Sequence, residues 1–178
     1  MAMWLFLASL TMLFVAGMMG YVVIRLRMEK HTPLGTLSIP KMLWVSTALV
    51  MAASYTIHMA LTAVRFENQS AFKRLMKATT VLACLFVLVQ VPALAQVLRS
   101  HDIAQQQGVG LYGLVFFLIL LHAAHVLGGI LSLFIVTANA SKGLYDHESH
   151  APIRYAAMYW HFLDAVWLIM FSLMLAMG

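Results

Sequence analysis

Residues 110–137 read GLYGLVFFLILLHAAHVLGGILSLFIVT, a run with no Asp, Glu, Lys or Arg. About 20 apolar residues cross roughly 30 Å of hydrocarbon at about 1.5 Å of rise each, so this stretch is long enough to span a bilayer as a helix. Four more apolar stretches flank it, at about 3–24, 42–64, 75–98 and 155–177. Lipid offers no hydrogen bonds to an open backbone, which leaves only helices and closed barrels. Alternating ten-residue strands are absent, so the chain reads as all-α: an integral membrane bundle of five transmembrane helices, with 1–178 as one domain.

Composition agrees. Hydrophobic residues make up 63% of the chain and charged residues 10%, against about 25% charged in soluble domains. The excess of Lys and Arg, 11 against 6 acidic residues, is usual for membrane loops and gives no reason to expect nucleic acid. A signal peptide is a poor reading of the first stretch, which lacks a basic start and runs too long. Arg25-Leu26-Arg27 looks like its stop at the membrane surface, before a loop containing Pro33, Gly35 and Pro40. Lys73, Arg74 and Lys77 read as a basic connector, and Arg99 to Gln107 and Asn139 to Arg154 as loops. Pro92 falls near the end of the third span. Cys84 lies in an apolar run and reads as a small hydrophobe without a disulfide partner.

Arg and Lys split six against five between the two sides of the membrane, with the larger count on the side of the amino terminus. That leans towards a cytoplasmic amino terminus. Small residues mark where helices can approach closely. Ala124, Gly128 and Ser132 recur every four residues in the fourth span, with Gly129 beside them. Ala8, Ala16 and Gly20 line one face of the first span.

Polar residues inside the spans carry most of the information. His122 and His125 are three apart on the fourth span, and His161 and Asp164 are three apart on the fifth. Ser54, His58 and Thr62 follow at four-residue intervals on the second, and the third holds Gln90. A charged Asp near a helix centre costs about 2.5–3.5 kcal/mol on insertion scales. Asp164 is therefore expected to face the interior, against histidines of the fourth and fifth spans. Three readings remain open for these groups: haem or metal ligation by histidines such as His58, His125 and His161, a proton relay through Asp164, or polar contacts that only hold helices together. No span offers the Glu-x-x-His motif of a dinuclear carboxylate site, and no phosphate loop, nucleophile elbow or zinc-binding Cys pair is present. The loop histidines His101, His147 and His150 read as solvated surface.

Two segments carry a resemblance. Tyr159-Trp160-His161-Phe162-Leu163-Asp164-Ala165-Val166-Trp167 resembles the YWHFVDxVW signature of the last helix of haem–copper oxidase subunit III. His122-Ala123-Ala124-His125-Val126-Leu127-Gly128-Gly129 is similar to that family's HGxHVxGG segment. Met3 to Ser9 and Ser54 to Ala60 resemble its earlier helices more loosely, in the same order. Two family glutamates are replaced, by Leu10 and by Ala93. The family's first two helices have no counterpart, as in its shorter five-helix members.

The resemblance implies a non-catalytic subunit of a respiratory terminal oxidase, itself free of redox cofactors. Haem and copper are expected in its partner, subunit I. The chain would stabilise subunit I and support proton uptake or oxygen access, with subunit II also present and phospholipid bound in clefts. A bacterial-type cytoplasmic membrane is expected, rather than an organellar inner membrane. The motif and packing residues carried over are His58, Gln90, His122, His125, Gly128, Gly129, Trp160, His161, Asp164 and Trp167. Alternatives are an accessory subunit of nitric oxide reductase or another quinol-oxidising complex, or a b-type cytochrome membrane anchor.

Overall fold

A computed structural model describes residues 2–28, 42–105, 111–143, 145 and 151–177. These form five helices: α1 (Ala2–Met28), α2 (Met42–Arg65), α3 (Gln69–Gln105), α4 (Leu111–Ser141) and α5 (Ala151–Met177). All five are long and apolar enough to cross a membrane, and no strand occurs among the described residues.

The third helix is longer than its apolar run. It begins at Gln69 and continues to Gln105, so the basic residues 73–77 and the polar segment from Arg99 are helical instead of connector and loop. The reason is local. Asn68 caps the start, its side-chain carbonyl accepting from the Ala71 amide at 3.1 Å, and so satisfies one of the amides that every helix start leaves unpaired. Lys, Arg and Gln are good helix formers, so nothing stops the helix where it leaves the apolar layer. The helix also passes through Pro92 without ending. Its 37 residues correspond to about 55 Å.

The α2–α3 hairpin is closed by only Phe66, Glu67 and Asn68, with Glu67 at a positive φ of 58°. At the end of α4, Gly143 takes φ 75° and its amide bonds the Ala140 carbonyl at 3.1 Å, a glycine stop. α5 starts at Ala151, with Pro152 in its first turn, where a missing amide costs nothing. His147, Glu148 and His150 lie outside the described residues, as does the loop holding Pro33, Gly35 and Pro40.

Helices α2, α3, α4 and α5 form a four-cornered ring in which each packs on its two neighbours; α1 lies outside, against α4 and α5. α4 and α5 each have three neighbours, and half of the α5 span is buried, against about a quarter for the others. Inside the ring, Ile57, Phe72, Met76, Phe86, Leu133, Ile153 and Trp160 form the core. A smaller cluster of Phe14, Met18 and Tyr21 with Leu118, Val166 and Met170 fixes α1.

The packing face of α1 differs from the small-residue strip. Leu7, Leu10, Phe14, Met18 and Tyr21 are buried, whereas Ala8 and Ala16 point outwards. The close approach is at Gly17, where an added Cβ would collide with the Leu118 side chain of α4. In α4 the close approach is at Gly129, which faces Leu163, Tyr159 and Trp160 of α5; Ala124 and Gly128 lie towards the outside.

Candidate functional site

The polar side chains within the spans gather at two places. The first is the seam between α2 and α5. The Ser54 hydroxyl and His161 Nδ1 are 2.6 Å apart, which ties the two helices together. His58, one turn further along α2, is exposed, and its ring lies 6.5 Å from that of His161. Thr62, the third member of this polar row, turns back and donates to the His58 carbonyl at 3.1 Å. The seam is open to the outside of the bundle: the His161 side chain is 41% exposed.

Asp164 sits just inside this seam at 4% exposure. It faces the interior, as its cost in lipid requires. Of its expected histidine partners, His161 lies beside it, whereas His122 and His125 turn to other groups. His161 Nδ1 is 3.9 Å from the carboxylate, too far for a hydrogen bond, and is engaged by Ser54. Neither carboxyl oxygen has a hydrogen-bond partner among the described residues. On α4, the His125 ring donates from Nδ1 to the Leu121 carbonyl of its own helix at 2.6 Å and lies against the edge of Phe14. Helix rotation accounts for the difference. Spacing along a span sets which residues share a face, but packing decides which way that face turns.

The second place is the α4–α5 contact and the cavity beside it. His122 is buried, stacks on Trp167 at 5.7 Å between centroids with 25° between planes, and meets Phe14 edge-on. Both of its nitrogens are buried without a hydrogen-bond partner among the described residues. Gln90 of α3 lies on the wall of the same cavity. Trp167 donates from its indole to the Thr47 hydroxyl of α2 at 3.1 Å, while the Trp160 indole nitrogen, in the core, has no partner among the described residues. Gly129 lets Trp160 and Leu163 close against α4.

His58, His161 and Asp164 are thus brought together at one seam, and Gln90, His122 and Trp167 at one cavity. His125 belongs to neither. Among the described residues no three His, Cys, Asp or Glu side chains converge as metal ligands.

Sequence reasoning did not single out Thr47, and it quoted Tyr159 in a motif without giving it a contact. The Tyr159 hydroxyl donates to the His125 carbonyl at 3.1 Å, an α5-to-α4 bond that no spacing rule signals. Thr47 reads as one more small residue until Trp167 is seen to bond it.

A family model described as "Cytochrome c oxidase subunit III" matches residues 1–178. The chain belongs to the cytochrome c oxidase subunit III family. It is 23% identical over 172 residues to a cytochrome c oxidase subunit 3 of Synechocystis sp., covering 95% of this chain and 71% of that one. It is 26% identical over 176 residues to that of Thermostichus vulcanus, covering 95% and 82%. It is also 31% identical over 139 residues to a probable quinol oxidase subunit 3 of Staphylococcus haemolyticus, covering 75% and 66%. The protein is therefore a multi-pass membrane protein and a subunit III of a haem–copper oxidase, and the cytochrome-anchor reading is set aside. Both specific subunit III segments lie on the helices that meet at Gly129. Of the two replaced glutamates, Leu10 is a buried apolar residue of α1, and the Ala93 side chain lies outside the described residues.

Proposed function

We propose that this subunit III docks, through its α2–α5 seam, against the catalytic subunit I of a respiratory terminal oxidase. It stabilises that subunit while oxygen is reduced to water, with subunit II completing the complex and phospholipid in its clefts. The supporting observation is the exposure of polar side chains at mid-span. Tyr55 and His58 share the outward side of α2 with the apolar Met51, and the half-exposed His161 adjoins them. Exposed apolar residues are at ease in lipid. An imidazole facing hydrocarbon is costly, so a protein surface with its own polar groups is a better neighbour than acyl chains. Leu10 carries no titratable group, so support of proton uptake or oxygen access rests on other residues. The reading includes a bacterial-type cytoplasmic membrane with the amino terminus on the cytoplasmic side.

The test uses single cysteines in a Cys84→Ala background. In the intact complex, Tyr55→Cys should cross-link to a haem-bearing subunit, while Leu88→Cys, exposed on α3 away from the seam, should not. Equal modification of both cysteines by a lipid-soluble maleimide, with no cross-link from position 55, would contradict the docking face.

The same reading holds that the chain carries no haem or copper of its own. Purified subunit III should show no haem absorption bands and no stoichiometric copper. One haem per chain, lost on His125→Ala, would sink this idea.

A further inference from the structure

The bond between Ser54 and His161 fixes which hydrogen the exposed side of the imidazole carries. Their polar atoms stand 2.6 Å apart, and by distance alone either one supplies the hydrogen. The surroundings decide between them. Thr47, Thr56 and Thr62, on the same helix, each turn the hydroxyl back onto a carbonyl of α2, as hydroxyls within helices commonly do. Ser54 makes no such bond, and neither Asp164 oxygen accepts from it. His161 Nδ1 is thus the acceptor that the Ser54 hydroxyl meets among the described residues, so the hydroxyl donates to it. A neutral imidazole has one N–H, which then resides on Nε2.

That N–H has no partner among the described residues, and its side chain is 41% exposed. Depth narrows what can accept from it. His161 lies ten residues after the start of its span, Ala151–Leu173, and twelve before the end, about 15 Å from either surface. Water and the ester oxygens of lipids stay near those surfaces, and acyl chains offer no acceptor. A donor left bare at this depth is unfavourable. A transmembrane helix uses its own carbonyls internally, so what a neighbouring helix can offer is a side-chain oxygen. Tyr55 and His58 are exposed beside the same opening, the His58 ring 6.5 Å from that of His161.

We infer, building on the docking face proposed above, that His161 donates from Nε2 to a side-chain oxygen on a transmembrane helix of subunit I. Ser54 is then a positioning residue: by donating to Nδ1 it holds the ring and places the hydrogen on the outer nitrogen.

The experiment follows release of this chain from the intact complex in rising detergent. Ser54→Ala removes the internal bond, and His161→Phe added to it cannot lose that bond a second time. The double variant should still release the chain about fivefold faster than Ser54→Ala, the scale of one neutral hydrogen bond. His161→Gln carries an amide N–H near the place of Nε2, and in the same background it should stay within about twofold of Ser54→Ala. If the phenylalanine complex does not assemble, His161→Asn against His161→Gln decides, because asparagine reaches Ser54 and falls short of the seam. Asparagine should release faster; equal release of the two would overturn the inference. So would a double variant no faster than Ser54→Ala while the Tyr55→Cys cross-link still forms, because His161 would then only tie α2 to α5 and the docking face would stand. Failure of the Tyr55→Cys cross-link in the otherwise unaltered complex would remove the docking face, and this bond with it.

Discussion

Trp160→Ala is expected to destabilise the subunit by about 3 kcal/mol, enough to remove most of it from the assembled complex. Trp160 is among the largest fully buried side chains and sits in the core at the centre of α5, the helix whose span is most buried. Truncation leaves a cavity that the ring of helices cannot close without moving α4 and α2 together. The figure is taken from the low end of the Trp→Ala range because the alternative environment for these helices is lipid, so the loss is mainly one of packing contacts. Trp160→Phe separates packing from polarity. It keeps an aromatic ring and removes a buried indole N–H that has no partner among the described residues, so it should cost less than about 1.5 kcal/mol. Trp4→Ala, at a residue 68% exposed, should leave yield unchanged. The measurement is complex yield and thermal midpoint in one detergent for all three variants. A Trp160→Ala complex with wild-type yield and midpoint would contradict the central role of α5.

Gly129→Leu is expected to part α4 from α5 at a cost of about 3 kcal/mol, near the upper end of ordinary overpacking. A Cβ at Gly129 would lie 2.9 Å from Leu163 Cδ1, 3.3 Å from Tyr159 and 3.6 Å from Trp160. Leu163 and Trp160 are each 2% exposed, so neither can swing out of the contact to make room for a leucine. Gly129→Ala asks the Leu163 methyl and the edge of the Tyr159 ring to shift slightly and should cost about 1 kcal/mol. The adjacent glycine supplies the control. At Gly128 the nearest atom to an added Cβ is the Tyr159 hydroxyl at 3.7 Å, an ordinary contact. Gly128→Ala should therefore assemble normally. If Gly128→Ala proved as harmful as Gly129→Leu, the close approach would have been assigned to the wrong glycine.

The two cases show where sequence reading stops. Gly128 and Gly129 are neighbours in one motif, and the spacing of small residues favoured the row containing Gly128 and Ala124. The structure puts Gly129 at the contact and leaves Ala124 outside. In α1 the strip of Ala8 and Ala16 faces outwards, while Leu7, Leu10, Phe14 and Met18 pack inwards. Among the polar groups, His122 and His125 read as one face of the fourth span. One lines a cavity without a partner, and the other bonds its own helix.

The sequence by itself determined the solvent, the number of spans, their approximate positions and the family. Those follow from quantities that need no neighbour: the length of an apolar run, the scarcity of charge, and two motifs that read linearly. It missed the true extent of α3, because a helix outside the bilayer needs no apolar residues and Asn68 starts it early. Only the tertiary structure decided which face of each helix looks inwards, that Asp164 lies buried without a histidine hydrogen bond, and that Ser54 joins His161. The physical reason is the solvent. In water, an apolar stripe marks the buried face; in lipid, both faces of a span are apolar, so hydropathy carries no phase and the fit of side chains between helices sets the rotation.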